Sequence, residues 1–143
     1  QALNSEVEID AYPYRLTKEN AHELISRYDI VVDGMDNFAT RYIVSDECQL
    51  QGKPYVYGAI RGLDGQVAVL CKGHTTYRSL LPDEEATLSM PHPGKAVLGT
   101  TPAVLGSVEA CQVLMLAAEF GEPLIDKLWT VDLSTMMSYV IDM

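Results

Sequence analysis

The sequence predicts an α/β domain. Its sheet is expected to be mostly parallel, of βαβαβ order, with an antiparallel C-terminal extension and a long crossover loop. Three observations carry this. Strand-like and helical periodicities alternate over the first 60 residues, the signature of βαβ units. An Asp-Gly turn, Asp64-Gly65, then joins two apolar runs too closely for anything but an antiparallel pair or one bent strand. After it, residues 72–100 hold Pro82, Pro91, Pro93 and several glycines with little periodicity, the mark of a long functional loop.

Each element follows from its residues. Residues 7–14 alternate apolar and polar and predict a strand. Thr17 is an N-cap candidate for an amphipathic helix carrying Ala21, Leu24, Ile25 and Tyr28. Residues 30–33 form a short β-branched run of the buried parallel type. Residues 37–51 predict a helix, with Gly52 suited to a left-handed C-terminal cap and Pro54 blocking continuation. Residues 54–60 and 66–71 predict the next two strands. Pro102 suits the first turn of a helix running to Phe120, apolar nearly all round and so expected to be buried on most faces. Gly121 and Pro123 end it, and residues 127–133 and 136–141 predict a hairpin around Ser134-Thr135.

Composition narrows the class. The 143 residues are about one domain. Twenty acids against ten bases give a net charge of −10, which disfavours nucleic acid and anionic membranes as partners. Cys48, Cys71 and Cys111 are widely spaced and read as reduced thiols of a cytoplasmic protein, with Cys48 and Cys111 as small buried apolar groups. The apolar stretch 110–118 is too short for a bilayer. The chain opens without Met and closes just after a strand-like run, so it reads as part of a longer protein.

Several chemistries lack their residues. Neither G-x-G-x-x-G nor G-x-x-x-x-G-K-[ST] occurs, and no glycine lies where a dinucleotide fingerprint would precede Asp33. Cys71 and His74 form half of a possible zinc pair, but Cys48, Cys111, His22 and His92 supply no second half at ligand spacing. Asp83-Glu84-Glu85 reads as a solvated acidic patch, and Ser107 sits inside a helix rather than at a nucleophile elbow.

One corner does suggest chemistry. In "DIVVDGMDNFATRY" a strand that reads as central ends at Asp33, with Asp36 and Asn37 at the start of the following helix. Ligands of open α/β sheets bind beyond the carboxyl ends of strands. Two carboxylates there suit Mg²⁺, which takes one or two protein carboxylates beside water and phosphate. Arg41, one turn beyond Asn37, is placed to meet a phosphate or clamp Asp36. The competing reading is that Asp36 or Asn37 simply caps the helix.

The stretch "VVDGMDNFATRYIVSDECQLQGKPYVYGAIRGLDGQVAV" resembles the ThiF/MoeB/HesA family of adenylating enzymes, relatives of the ubiquitin-activating enzymes. The pattern is D-x-x-D-N-x-x-x-R (Asp33, Asp36, Asn37, Arg41), then Cys48, Gly52-Lys53-Pro54, Gly58-Ala59, Gly62 and Gly65-Gln66. Similarity continues through "TYRSLLPDE", "AVLGTTPAVLGSVEA" and "GEPLIDKLWTVDLSTM", covering essentially the whole chain in order.

The resemblance implies a Rossmann-like fold and an ATP- and Mg²⁺-dependent adenylyltransferase. Its partner would be a small ubiquitin-like or sulfur-carrier protein, whose C-terminal glycine is activated. Asp36 matches the family aspartate at the Mg-ATP site and is the candidate catalytic and metal-holding residue, with Asp33, Asn37 and Arg41 as cofactor-binding candidates. Members are commonly homodimers; the strands of residues 54–71 and the helix from Pro102 are the candidate packing surfaces. Residues 1–143 would be the C-terminal portion of such a domain, without its N-terminal glycine-rich nucleotide loop, and inactive alone. Thr76 and Ser79 replace the cysteines of the family's C-Y-R-C, so no zinc is expected. The crossover stretch Ser89-Met90-Pro91-His92-Pro93-Gly94 lacks the Cys some members carry, which puts a thioester or persulfide step there in doubt. The alternative is a non-catalytic binding or dimerisation module of the same fold, distinguished by whether a glycine-rich strand-to-helix turn lies upstream. A Rossmann oxidoreductase would need the absent glycine fingerprint and would bind nicotinamide.

Overall fold

The computed structural model describes residues 3–91 and 97–143. The element order is α1 (Lys18–Ser26), β1 (Val31–Val32), α2 (Phe38–Gln51), β2 (Tyr55–Arg61), β3 (Asp64–Leu70), α3 (Tyr77–Leu80), α4 (Glu84–Ser89), α5 (Thr100–Ala117), β4 (Lys127–Asp132) and β5 (Met137–Asp142). The strands form one mixed five-stranded sheet in sequence order. It is parallel at its start, where Val31 faces Tyr55, and antiparallel in the three pairings that follow.

The α/β class and the antiparallel C-terminal part are as the sequence predicts. The parallel part is smaller than expected among the described residues. Residues 7–14 form no strand and are mostly exposed. Alternation makes a strand only where a neighbour completes its backbone ladder, and here Tyr12 and Tyr14 instead pack ring to ring at 5.7 Å. The unpatterned stretch before α5 also holds two short helices, α3 and α4. Asp83 caps α4 through the Ala86 amide and Glu84 pairs with Arg78, so this acidic run is structured rather than merely solvated.

The central strands β2 and β3 are covered on both faces, whereas β5 is exposed along its length. On one, α1 and α2 bury Ala21, Ile25, Tyr42, Val44 and Cys48 against Tyr55, Tyr57, Ala68 and Leu70. Tyr77 of α3 closes this layer, its ring 4.9 Å from Tyr42 and 5.4 Å from Tyr57, and the Tyr42 hydroxyl donates to the Leu81 carbonyl at 2.6 Å. Gly52 ends α2 at φ +68, as its sequence position predicts. Lys53 then donates to the Ser26 and Tyr28 carbonyls, tying α1 to the entry of β2.

On the other face, Leu105 of α5 packs with Val67 and Val131. Here the expectation of a helix buried on most faces is corrected. Only Thr101, Leu105, Glu109 and Gln112 of α5 are buried, and three of them are polar. Val104 and Leu114 are exposed, as is Cys111, so Cys111 is not the buried apolar group expected. A uniformly apolar helix has no amphipathic stripe from which to read orientation; the small residues opposite it decide which side goes in. By length and composition α5 could cross a membrane, yet it lies along β2 and β3. The strands proposed as a packing surface are central, with Val56, Val67, Val69 and Leu70 fully covered within the chain.

Candidate functional site

The site grows from the way the β1–β2 ladder stops. The Val31 amide donates to the Pro54 carbonyl and the Asp33 amide to the Val56 carbonyl. The next rung of a parallel ladder would run from the Met35 amide to the Gly58 carbonyl. Instead the Met35 amide turns back to Asp33 Oδ1 at 2.8 Å, and the chain leaves the sheet. Arg41 fills the vacated rung: its Nη2 donates to the carbonyls of Gly58 at 3.1 Å and Met35 at 2.6 Å. Its Nε donates to Asp33 Oδ2 at 2.8 Å, with the Asp33 side chain fully buried. Burial works against the Arg41 charge, but Asp33 outweighs it and raises the Arg41 pKa. The guanidinium also lies over the Tyr57 ring, 5.7 Å from its centroid.

The four corner residues therefore divide. Asn37 is the helix cap, its Oδ1 accepting from the Thr40 amide at 2.8 Å. Asp33 has one carboxylate oxygen on the Met35 amide and the other on Arg41. Arg41 clamps Asp33 rather than Asp36. Asp36 is exposed at the start of α2 and accepts from the Asn37 amide group at 3.1 Å.

Beside Arg41 opens a cavity of about 670 Å³, lined by Phe38, Tyr57, Gln66, Thr130 and the Met90-Pro91 stretch. Gln66 is anchored by donating to the Tyr57 hydroxyl at 2.5 Å. The continuation of the crossover stretch at His92, Pro93 and Gly94 lies outside the described residues, and His92 as a metal candidate with it.

The glycines of the motif serve different ends. Gly62 takes φ +61 in the β2–β3 turn. Gly58 and Gly65 have ordinary backbone conformations, and what excludes a side chain is α5. A Cβ on Gly65 would lie 2.3 Å from Leu105, and one on Gly58 would lie 2.2 Å from Glu109 Oε1. Glu109, buried beside this corner, was not legible in the sequence; glycines at 58 and 65 were the available signal, as marks of close helix approach. Burial pushes the Glu109 carboxyl up to about 7, with Asp33 adding to the effect and Arg41 opposing it.

Elsewhere, Thr76 and Ser79 form a reciprocal capping box. The Ser79 amide donates to Thr76 Oγ1 at 3.1 Å, and the Thr76 amide to Ser79 Oγ at 3.2 Å. Arg78 between them binds Asp46 through two nitrogens, each at 2.7 Å. Among the described residues no cluster of three or more His, Cys, Asp or Glu could hold a metal ion. Cys48 is buried and its thiol is pushed up to about 12 by that burial, the opposite of what a nucleophile needs.

A mixed sheet whose central strands are covered by helices on both faces, with a polar corner at the end of its parallel pair, defines a Rossmann-like α/β domain. The fold is that of E. coli MccB: in a crystal structure with MccA-N7isoASN the TM-score is 0.78 at 17% identity, covering 98% of this chain and 45% of that one. The chain belongs to the ThiF family, whose model matches residues 1–143. Its relatives include the sulfur carrier protein adenylyltransferase of Thermus thermophilus, 45% identical over 92% of this chain and 51% of that protein. They include also the adenylyltransferase and sulfurtransferase MOCS3 of Arabidopsis thaliana, 39% identical over 98% of this chain and 31% of that protein. A third is the SAMP-activating enzyme E1 of Haloferax volcanii, 34% identical over 95% of this chain and 51% of that protein. The chain thus spans about half or less of the length of these relatives.

Proposed function

We propose that this chain forms the carrier-side part of an ATP-dependent adenylyltransferase that activates the C-terminal glycine of a sulfur-carrier or ubiquitin-like protein. The observation that carries the reading is the division of labour at the corner. Asp33 and Arg41 are locked together as scaffold, and Asp36 stands exposed at the carboxyl end of the parallel strand pair, two residues before Phe38, which lines the cavity of about 670 Å³. The relatives' names as adenylyltransferases support the same activity.

In the proposed reaction the carrier's terminal carboxylate attacks the α-phosphate of ATP; the new bond joins carboxylate oxygen to phosphorus, and pyrophosphate leaves with the electrons of the broken P–O bond. An exposed carboxylate at this position fits what Mg²⁺ takes from a protein, so Asp36 is the residue that would hold it. When bound, the metal supplies positive charge against the triphosphate. Arg41 keeps the Gly58 peptide and the Asp33–Met35 turn fixed, so that Asp36 is presented from a rigid support. The cavity, walled by Phe38, Tyr57 and Gln66, receives the tail and excludes water from the forming acyl-adenylate. Thr76 and Ser79 hold their segment by hydroxyl contacts, so the reading includes no zinc. It also includes a homodimer in the cytoplasm with no nucleic acid or membrane partner, consistent with the net charge of −10; a sizing column tests the dimer.

The test is ATP–pyrophosphate exchange by the intact protein with its carrier. Asp36→Asn should lose exchange by at least about 100-fold, the order expected for removing a charge that acts in the transition state, while its thermal unfolding stays at the wild-type midpoint. Exchange at the wild-type rate would remove Asp36 from the role.

A further inference from the structure

The polar residues on the buried stripe of α5 each call for a partner, because burying an unpaired polar group is costly. Thr101 has one: its hydroxyl donates to the Gly62 carbonyl at 2.8 Å, fixing the β2–β3 turn. Gln112 has one: its Oε1 accepts from the Leu124 amide at 2.8 Å, fixing the approach to β4. Glu109 is different. The residue is 9% exposed, and its Oε1 is buried with no hydrogen-bond partner in the structure. What it touches is Gly58, with the carboxyl group where a Cβ of that residue would be. Gly58 is also the residue whose carbonyl receives Arg41.

We propose that Glu109 is a positioning residue for the Arg41–Asp33 pair, its carboxyl group seating the Gly58 peptide from behind. The proposal deepens the adenylation reading and rests on it for the activity measured below. Its geometry is a three-layer stack: the Glu109 carboxyl on one face of the sheet, the Gly58 peptide within it, and the Arg41 guanidinium at the vacated rung. Gly58 can be held this closely only because it has no side chain.

Charge then decides how the stack behaves. Strand alternation places Val56, Gly58 and Ile60 of β2 and Gly65, Val67 and Val69 of β3 toward α5, and none of these titrates. β4 presents Lys127, Trp129 and Val131 to the same face, and Lys127 pairs with Glu122 at 3.7 Å. Among the described residues, the charges that act on Glu109 are Asp33 and Arg41. Protonated, Glu109 is a neutral wall. Ionised, it is a second buried carboxylate that repels Asp33 and competes for Arg41 through the Gly58 peptide. Burial already raises its pKa to about 7, so the change falls in the physiological range.

The direction of the linkage is fixed. The folded-state pKa lies above the ordinary 4.5. The contribution of Glu109 to stability is thus full below about 4.5 and is lost as pH rises through about 7. Glu109→Gln keeps the shape and freezes the neutral form.

Two measurements on the intact protein test this. The first is the thermal midpoint of wild type and Glu109→Gln between about pH 5 and pH 8. The wild type should fall relative to the variant as pH rises; parallel curves would overturn the proposal whatever the enzyme does. The second is pyrophosphate exchange over the same range. The wild-type rate should drop several-fold toward pH 8 relative to Glu109→Gln, a change in pH profile that a merely structural role would not produce. Coincident profiles from an active wild type would overturn the positioning role, whereas a wild type with no exchange at any pH would count against the adenylation reading and leave the thermal result to stand. Packing is checked separately: Gly58→Ala should destabilise the wild type and cost less in a Glu109→Ala background, and equal costs in both would remove Glu109 from behind Gly58.

Discussion

Arg41 is the residue on which the corner depends. Its side chain is 12% exposed and that of Asp33 is 0% exposed, so the pair is buried on both sides. Removing one partner strands the other charge, which costs about 3–5 kcal/mol. Arg41→Ala should therefore lower unfolding stability by that amount in urea titration. Arg41→Lys should recover only part of it. A single ammonium has no planar fork with which to reach the Asp33 carboxylate and the Gly58 and Met35 carbonyls together. Asn37 shows why spacing could not rank these residues: capping and ligand binding favour the same residue types at a helix start, and only the Thr40 contact separates Asn37 from Asp36.

At the scale of elements, the approach of α5 to the β2–β3 hairpin organises the sheet's second face. Glycines at 58 and 65 let the helix come close enough for Glu109 and Leu105 to rest on the backbone. A methyl group at position 65 would fall 2.3 Å from Leu105 Cδ1. Gly65→Ala should cost about 1–3 kcal/mol, the range for overpacking, and the combined cost with Leu105→Ala should be less than the sum of the two, since the second change clears the space. Denaturant midpoints of the two single variants and the double variant give the comparison. α3 and α4 show the complementary lesson. Each has fewer than eight residues, too few for a helical period to stand out, and their caps, Thr76 and Asp83, are seen only in the folded chain.

At the scale of the whole molecule, Asp126 closes the far end of the sheet. It accepts from the His74 ring at 2.7 Å and from the Thr75 amide at 2.8 Å, and its carbonyl takes the Met143 amide at 2.8 Å. The β3–α3 loop, the start of β4 and the end of β5 meet there. The His74 contact, then those of Thr75, hold the Asp126 carboxyl down at about 2 against an ordinary 3.8. Its contribution to stability is present above about 3.8 and is lost as pH falls through about 2. Asp126→Asn should lower the thermal midpoint near pH 6 and flatten its decline below about pH 4, as followed by circular dichroism.

Local sequence sets the order of α1, β1, α2, β2, β3, α5, β4 and β5, but not the short α3 and α4; it also sets the left-handed cap at Gly52, the antiparallel C-terminal strands and the place of the polar corner between residues 33 and 41. These are set by neighbours within a few residues: periodicity, caps, turn chemistry and one short motif. Tertiary structure decided the rest. The alternating residues 7–14 found no ladder partner among the described residues, α5 turned a polar stripe inward, Arg41 chose Asp33 over Asp36, and Glu109 came to lie behind Gly58. Glu109 and Gly58 stand 51 positions apart in the sequence, and Arg41 reaches a backbone rung that exists only because β1 ends early. Burial, the absence of a Cβ and an open hydrogen-bonding position are properties of the assembled sheet, and they choose among side chains that local sequence leaves equivalent.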